Sequence, residues 1–303
     1  MDTPDALVLG GGGTLGEAWM WALLAGAERD GGFDARACDA YVGTSAGSIV
    51  AALLAAGVAP HARLERDGAG DAIAGTPAES ERALAVLLGT AGELALAAIA
   101  PLAPLALASA GRPRQLLART VLRAAPTGRR SLRGLGQTIE QLGASFDGRL
   151  RVVAVELASG RRVAFGDPDA PELAVGLAVE ASCAIPGVFR PVEAAGSAYV
   201  DGGVWSATSI DVAPVRRGGR ILCLNPTGSL RPTLGSPAGA FGPVSRAIAR
   251  AEALAMRRRG VQTRTVNPDS ASAAAMGLNL MDVRRRGDVI EAGLAQGRRL
   301  ADA

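Results

Sequence analysis

The stretch Tyr41-Val42-Gly43-Thr44-Ser45-Ala46-Gly47 places a serine at the centre of a GxSxG pentapeptide, after a short apolar run and before an apolar helical pattern. A strand that turns at once into a helix forces its turn residue into a strained backbone conformation. Gly43 and Gly47, two positions to either side, remove the Cβ atoms that would clash there. The Ser45 hydroxyl is then exposed at a helix N-terminus, where unpaired N–H groups favour negative charge. By itself the pentapeptide also fits a plain turn in which Ser45 caps a helix over 48–54, because a chain with 40 Gly gathers small residues by chance.

The surrounding motifs favour the first reading. Residues 6–9 form a short apolar strand that runs into Gly10-Gly11-Gly12-Gly13-Thr14-Leu15-Gly16 and then an apolar periodic segment. A glycine loop between strand and helix presents several backbone N–H groups on one side, suited to a phosphate or an oxyanion. Gly11, Gly13 and Gly16 also satisfy GxGxxG, with Asp34 and Asp39 about 20 residues on, as a dinucleotide fingerprint asks. In that fingerprint the acidic residue ends the second strand, whereas Asp39 precedes the strand at 40–42. That strand ends in the serine turn instead. One turn donating N–H groups beside another exposing a hydroxyl suits acyl transfer.

A nucleophilic serine needs a base. The single histidine, His61, follows Pro60 and lies about 16 residues beyond Ser45. A helix over 48–56 would set it on the order of 15 Å or more from the hydroxyl, as an exposed loop residue. The α/β-hydrolase order, with histidine last, has nothing to fill it. Asp201 is the stronger candidate, because it follows a short strand at 197–200 and precedes Gly202-Gly203, which let the backbone pass close to Ser45. Desolvation would raise its pKa and strengthen its bond to a hydroxyl. Read alone, Asp-Gly-Gly is often only a turn.

The order GGGxxG, GTSAG and a distant DGG resembles the patatin-like phospholipases, serine acyl hydrolases that work with a Ser-Asp dyad. The segment Ala181-Ser182-Cys183-Ala184-Ile185-Pro186-Gly187-Val188-Phe189-Arg190-Pro191-Val192 is similar to that family's ASxAxPxxFxPV. The resemblance implies a three-layer α/β/α sandwich with a mostly parallel central sheet and an apolar helical insertion. It implies Ser45 as nucleophile, Asp201 as base and the Gly11, Gly12 and Gly13 amides as oxyanion hole, with Gly16, Gly43, Gly47, Gly202 and Gly203 as motif support. The substrate is then a lipid carboxylic ester, and no metal or organic cofactor is required. Leu15 stands where many members carry Arg or Lys, and Val204-Trp205-Ser206-Ala207-Thr208 stands where plant members have an Asn-Asn-Pro run, which suggests a bacterial-type branch. A soluble esterase or thioesterase, or a non-hydrolytic lipid-binding scaffold of the same fold, is the alternative.

At 303 residues and 49% hydrophobic, the chain can bury a full core as one large α/β domain or two smaller ones. With no interdomain linker, one domain over 1–303 is expected, with its motif-bearing core at 6–214 and an extension over 215–303. Net charge is only +3, all of its basic residues are Arg, and aromatics are 3%. That combination supports no nucleic-acid docking. The clusters Arg129-Arg130, Arg257-Arg258-Arg259 and Arg284-Arg285-Arg286 read as solvated helix ends or, alternatively, as anionic-lipid contacts. Cys38, Cys183 and Cys223 read as reduced core residues, and no metal-ligand spacing is present. No charged and apolar leader opens the chain, so a cytoplasmic location is expected, peripheral at the inner membrane face at most.

Beyond these, strands are expected at 150–157, 162–165 and 220–224, with helices at 17–28, 48–56, 171–182, 244–258 and 287–301. The interval 60–141 reads as an insertion. Its part at 83–110 carries no charge from Leu94 onward, and Glu93, Pro101 and Pro104 argue against a simple spanning helix. A proline-broken apolar hairpin there serves as a lid that touches a membrane surface, or as ordinary core packing. If it touches lipid, Leu96→Asp and Leu105→Asp should weaken vesicle flotation and vesicle hydrolysis while sparing a short soluble ester. Equal loss on both substrates would mark core packing.

Overall fold

The computed structural model describes residues 1–28, 33–68, 112–230 and 241–302. The segment 83–110, with Leu96 and Leu105, lies outside these residues. Four strands come from short apolar runs: β1 (Ala6–Leu9), β2 (Ala40–Thr44), β3 (Leu150–Glu156) and β7 (Arg220–Leu224). Runs of this kind suit central strands that are buried on both faces. Four more polar strands, β4 (Arg162–Phe165), β5 (Val192–Ala194), β6 (Ser197–Asp201) and β8 (Gln262–Val266), complete one sheet. Strands β3, β2, β1, β7 and β8 lie parallel in that spatial order, whereas β4 and β6 run antiparallel to β3, and β5 pairs antiparallel with β6.

The alternation of side chains divides the core into two layers. Leu7 and Leu9 face a cluster that includes Trp19 and Leu23 of α1 (Gly13–Glu28), Val50 and Leu54 of α2 (Ala46–Ala55), and Val289 and Leu300 near the C-terminus. Ala6 and Val8 face the other way, with Ile221 and Cys223, onto a second cluster built with Ala249, Ala253 and Met256. Helices therefore cover both faces of a mixed, mostly parallel sheet. The remaining helices are α3 (Pro60–Gly68), α4 (Arg112–Ala124), α5 (Arg133–Gln141), α6 (Val175–Cys183), α7 (Phe241–Arg258), α8 (Ser270–Met276) and α9 (Arg286–Ala301).

The register on β3 fixes the geometry of the site. Val152 and Val153 pair with both β2 and β4, so β2 and β4 occupy opposite edges of β3. Ala154 and Val155 pair with both β4 and β6, so β6 must lie on the β2 edge. Thr44 ends β2 opposite Val153, and Asp201 ends β6 opposite Ala154. The two strands thus meet end to end along one edge, and both chains turn out of the sheet at the same point.

Several elements differ from the sequence reading. His61 belongs to the first turn of α3, which Pro60 opens, and is not in a loop, although it is exposed. Helix α1 begins at Gly13, four residues before the apolar periodicity, because Leu280 holds its first turn from outside: the Leu15 amide donates to the Leu280 carbonyl at 2.9 Å. Helix α6 begins at Val175, and Pro171 stays outside it. β5 and β8 escaped notice because their burial is partial and their sequences, with Glu193, Gln262 and Arg264, look like loops.

Helix α9 packs on α1 through small residues. A Cβ at Gly297 would collide with the Leu23 carbonyl oxygen and come within 3.0 Å of the Ala27 nitrogen. A Cβ at Gly26 would likewise meet the Leu294 carbonyl oxygen. Gly297→Val should therefore destabilise the fold by about 1–3 kcal/mol, the usual range for overpacking. Denaturant midpoints measure this, and an unchanged midpoint would show that the two helices can part without cost.

Candidate active site

Ser45 stands between the last residue of β2 and the first of α2, with φ 51° and ψ −126°. Such a conformation costs a non-glycine residue on the order of 1–3 kcal/mol and persists only where its surroundings over-determine it. Here they do. The Ser45 amide donates to Ser182 Oγ at 2.8 Å, and the Ser45 carbonyl accepts from the Ser48 amide at 2.7 Å and from Ser48 Oγ at 2.6 Å. The chain folds tightly enough that a Cβ on Gly47 would strike the Leu9 carbonyl and one on Gly43 the Ser48 Cα. The Ser45 side chain makes no capping bond to α2, which removes the plain-turn reading.

The Ser45 hydroxyl instead lies near enough to Asp201 to act on its carboxyl. Asp201 is 4% exposed at the end of β6. Its amide donates to the Ala184 carbonyl at 3.0 Å, and its Oδ1 accepts from the Gly203 amide at 2.7 Å. Burial pushes its carboxyl up to about 6, against the opposing pull of the Gly203 bond and the nearby Ser45 hydroxyl. Gly202 lets the chain leave the sheet there, because a Cβ would meet the Val153 carbonyl and lie 3.1 Å from Thr44 Cγ2.

The glycine turn lies beside the serine. A Cβ on Gly11 would be 3.4 Å from Ser45 Cβ. The Gly11 amide is already occupied, since it donates to the Ala207 carbonyl at 2.8 Å, and the Gly10 amide donates to Leu224 at 2.9 Å. No backbone acceptor among the described residues takes the amides of Gly12 or Gly13. Gly13 opens α1 at φ 59°, a left-handed conformation open to glycine at little cost. Gly16 donates back to the Gly12 carbonyl at 2.8 Å.

The sequence gives no residue of the segment 181–192 a part in the site, beyond reading Cys183 as core, and three of them build it. Ser182 Oγ takes the Ser45 amide and donates to the Val153 carbonyl at 2.6 Å, so one hydroxyl ties the serine turn to β3. Ala184 holds Asp201. Cys183, buried as expected, brings its Sγ to 3.8 Å from Ser48 Oγ and within hydrogen-bond reach of the Ser45 hydroxyl. Burial first, and the Asp201 charge second, push its thiol up, so it stays neutral. His61 lines a different cavity, with Ala25, Phe33 and Leu294. Among the described residues no three metal-ligating side chains gather.

The raised carboxyl makes a claim about stability. A group whose folded pKa exceeds its unfolded value, here about 6 against 3.8, contributes stability that is fully present below the unfolded value. That contribution is lost as pH rises through about 6, and its size is up to about 3 kcal/mol. Asp201→Asn should therefore exceed the wild type in stability above pH 6 and approach it toward pH 4. Urea unfolding at several pH values checks this, and a variant no more stable at pH 8 would contradict it.

Residues 7–214 match the patatin-like phospholipase family. No curated protein matches the chain. Among solved structures it is similar to VipD from Legionella pneumophila, with 15% identity and a TM-score of 0.47 over 99% of this chain and 67% of that one. It is also similar to the type III effector protein ExoU, with 16% identity and a TM-score of 0.33 over 97% of this chain and 53% of that one. ExoU from Pseudomonas aeruginosa in complex with SpcU gives 21% identity and a TM-score of 0.34 over the same shares. The chain thus spans about half the length of ExoU and two thirds of VipD. Because the matched residues exceed half of the chain and include both the serine turn and Asp201, this protein belongs to the patatin-like phospholipase family.

Proposed function

We propose that this protein is a lipid acyl hydrolase that cleaves carboxylic esters of phospholipids or related lipids through an acyl-enzyme on Ser45. The observation that carries this reading is the nearness of the Ser45 hydroxyl, at its strained turn, to a buried carboxyl lifted to about 6. A carboxylate of that basicity is ionised at neutral pH and accepts a proton far better than a solvated one. Asp201 takes the hydroxyl proton as Oγ attacks the ester carbonyl, and the tetrahedral oxyanion forms beside the glycine turn. Collapse expels the alcohol, which receives the proton from Asp201. Water, deprotonated by the same carboxylate, then attacks the acyl-enzyme and releases the fatty acid.

The oxyanion donors are the Gly12 and Gly13 amides, because the Gly11 amide is taken by Ala207. Gly11 serves instead by leaving room beside Ser45. A single domain over 1–303 fits the packing of Val289 and Leu300 into the same cluster as Leu7 and Trp19. No helix among the described residues is long and apolar enough to cross a membrane. Contact with a lipid surface through 83–110 is part of this proposal.

Ser45→Ala should abolish ester hydrolysis and fluorophosphonate labelling while leaving the fold intact. Asp201→Asn should cost nearly as much, and the double variant hardly more, because members of one catalytic unit are strongly non-additive. The acid limb of kcat/KM should rise through about pH 6, where Asp201 loses its proton. His61→Ala should keep most activity. Labelling at another serine, or a loss of about 100-fold in His61→Ala, the size expected for a general base, would overturn the assignment.

A further inference from the structure

The segment between α8 and α9 lies beyond the residues that match the family, yet it reaches the glycine turn. The Leu280 carbonyl accepts from the Leu15 amide at 2.9 Å and from Thr14 Oγ1 at 3.2 Å. Met281 packs against Gly13, its Sδ standing where a Cβ on that glycine would fall, beside the Leu280 carbonyl. The same methionine packs against the cluster of Ala184, Val188 and Phe189 that follows Cys183. At the start of α9, Arg286 donates to the Thr14 carbonyl at 3.2 Å and to Glu17 Oε2 at 3.0 Å.

Glu17 is the anchor for that arginine. It is 7% exposed, and its Oε1 accepts from the Trp21 indole at 3.1 Å and from Arg63 at 3.3 Å. Burial alone would raise its carboxyl, but Arg286 and Arg63 together outweigh burial and hold it below its ordinary value. Glu17 therefore stays charged, and removing Arg286 would leave a buried charge less fully compensated.

These contacts bear on the donors directly. Gly10 and Gly11 are pinned on one side by Leu224 and Ala207, while Thr14, Leu15 and Glu17 are pinned on the other by Leu280 and Arg286. Only the amides of Gly12 and Gly13 lie between the two clamps. Donors act on a transition state only when aimed at the developing charge, and an error of about 1 Å can cost on the order of 10²-fold.

We propose that Leu280, Met281 and Arg286 are positioning residues that aim the Gly12 and Gly13 amides, so that the C-terminal segment completes the oxyanion site. This rests on the acyl-hydrolase reading above. Loosening the clamp leaves the nucleophile, the base and the contacts to bound substrate in place. It weakens only the bonds that form as charge develops on the carbonyl oxygen. The signature is a fall in kcat at nearly constant KM.

The test uses the full chain with Arg286→Gln, Arg286→Lys and Met281→Ala, and Arg299→Gln as control. Arg299 lies on the same helix and loses a pair, to Asp269 at 2.6 Å, that does not touch the turn. Turnover of a short-chain p-nitrophenyl ester is expressed per site labelled to completion by a fluorophosphonate. An alkylboronic acid, whose adduct on the serine is tetrahedral, reports the oxyanion site without turnover. Arg286→Gln and Met281→Ala should lower kcat per labelled site by about 10- to 100-fold, the scale of a misaimed donor. Their KM should hold, boronic acid affinity should fall in parallel, and Arg286→Lys should recover part of the loss. Arg299→Gln should match the wild type.

Loss of total activity that only follows the labelled fraction would overturn the proposal, because that is what a folding defect gives. So would unchanged boronic acid affinity in Met281→Ala, a variant that keeps the buried charges intact. An active Ser45→Ala would instead bring down the hydrolase reading and this inference with it. An inactive Ser45→Ala beside normal Arg286 and Met281 variants would remove the inference alone.

Discussion

The meeting of β2 and β6 on one edge of β3 is the constraint from which the rest of the site follows. Two strands that share an edge must stop where they meet, and here they stop at Thr44 and Asp201, opposite Val153 and Ala154. The next residue on one chain is Ser45, and the last on the other is the aspartate. Ser45 and Asp201, 156 residues apart in sequence, are thereby brought to one point by the strand ladders on β3. Val153 sits at the join: it pairs with Thr44, accepts from Ser182 and lies under Gly202. Ala at position 202 would collide with that carbonyl.

The same packing sets the chemistry. Its place at the end of β6, beside α6, excludes water from Asp201, and the lost hydration makes its carboxylate less stable and more basic. The bond from Gly203 and the nearby Ser45 hydroxyl draw the value partly back. Basicity and strain are both unfavourable to the folded state, so the site is held by the apolar clusters on either face of the sheet. A protein can carry such a deficit only because its core is large, and functional sites are where this is found.

The readable part of the site was the part written in local sequence. The elbow, the glycine turn and the Asp-Gly-Gly corner each need small residues at fixed spacing, and those spacings survive in the linear chain. The apolar central strands were legible for the same reason, since burial on both faces leaves an uninterrupted run. What stayed hidden depends on distant partners. The start of α1 at Gly13 is fixed by Leu280, more than 260 residues away, and a glycine-rich run carries no propensity that announces a helix. The occupation of the Gly11 amide depends on Ala207, and the place of Ser182 depends on its distance from Ser45. His61 is exposed, as the residue count implies, although it lies in a helix rather than a loop.

The neutral thiol at Cys183 shows how the site keeps a single acid–base function. A thiolate beside Ser45 would compete as nucleophile and would repel the Asp201 charge. Burial and that same charge both hold the proton on sulfur, so the only group of the dyad and its immediate neighbours that titrates near neutrality is the aspartate. Ser48 and Ser45 lie within reach of the sulfur, which leaves it a weak partner for hydroxyls and no more. One low-dielectric pocket thus has opposite consequences for two acids: it makes a carboxyl basic enough to accept a proton and a thiol too weak an acid to lose one.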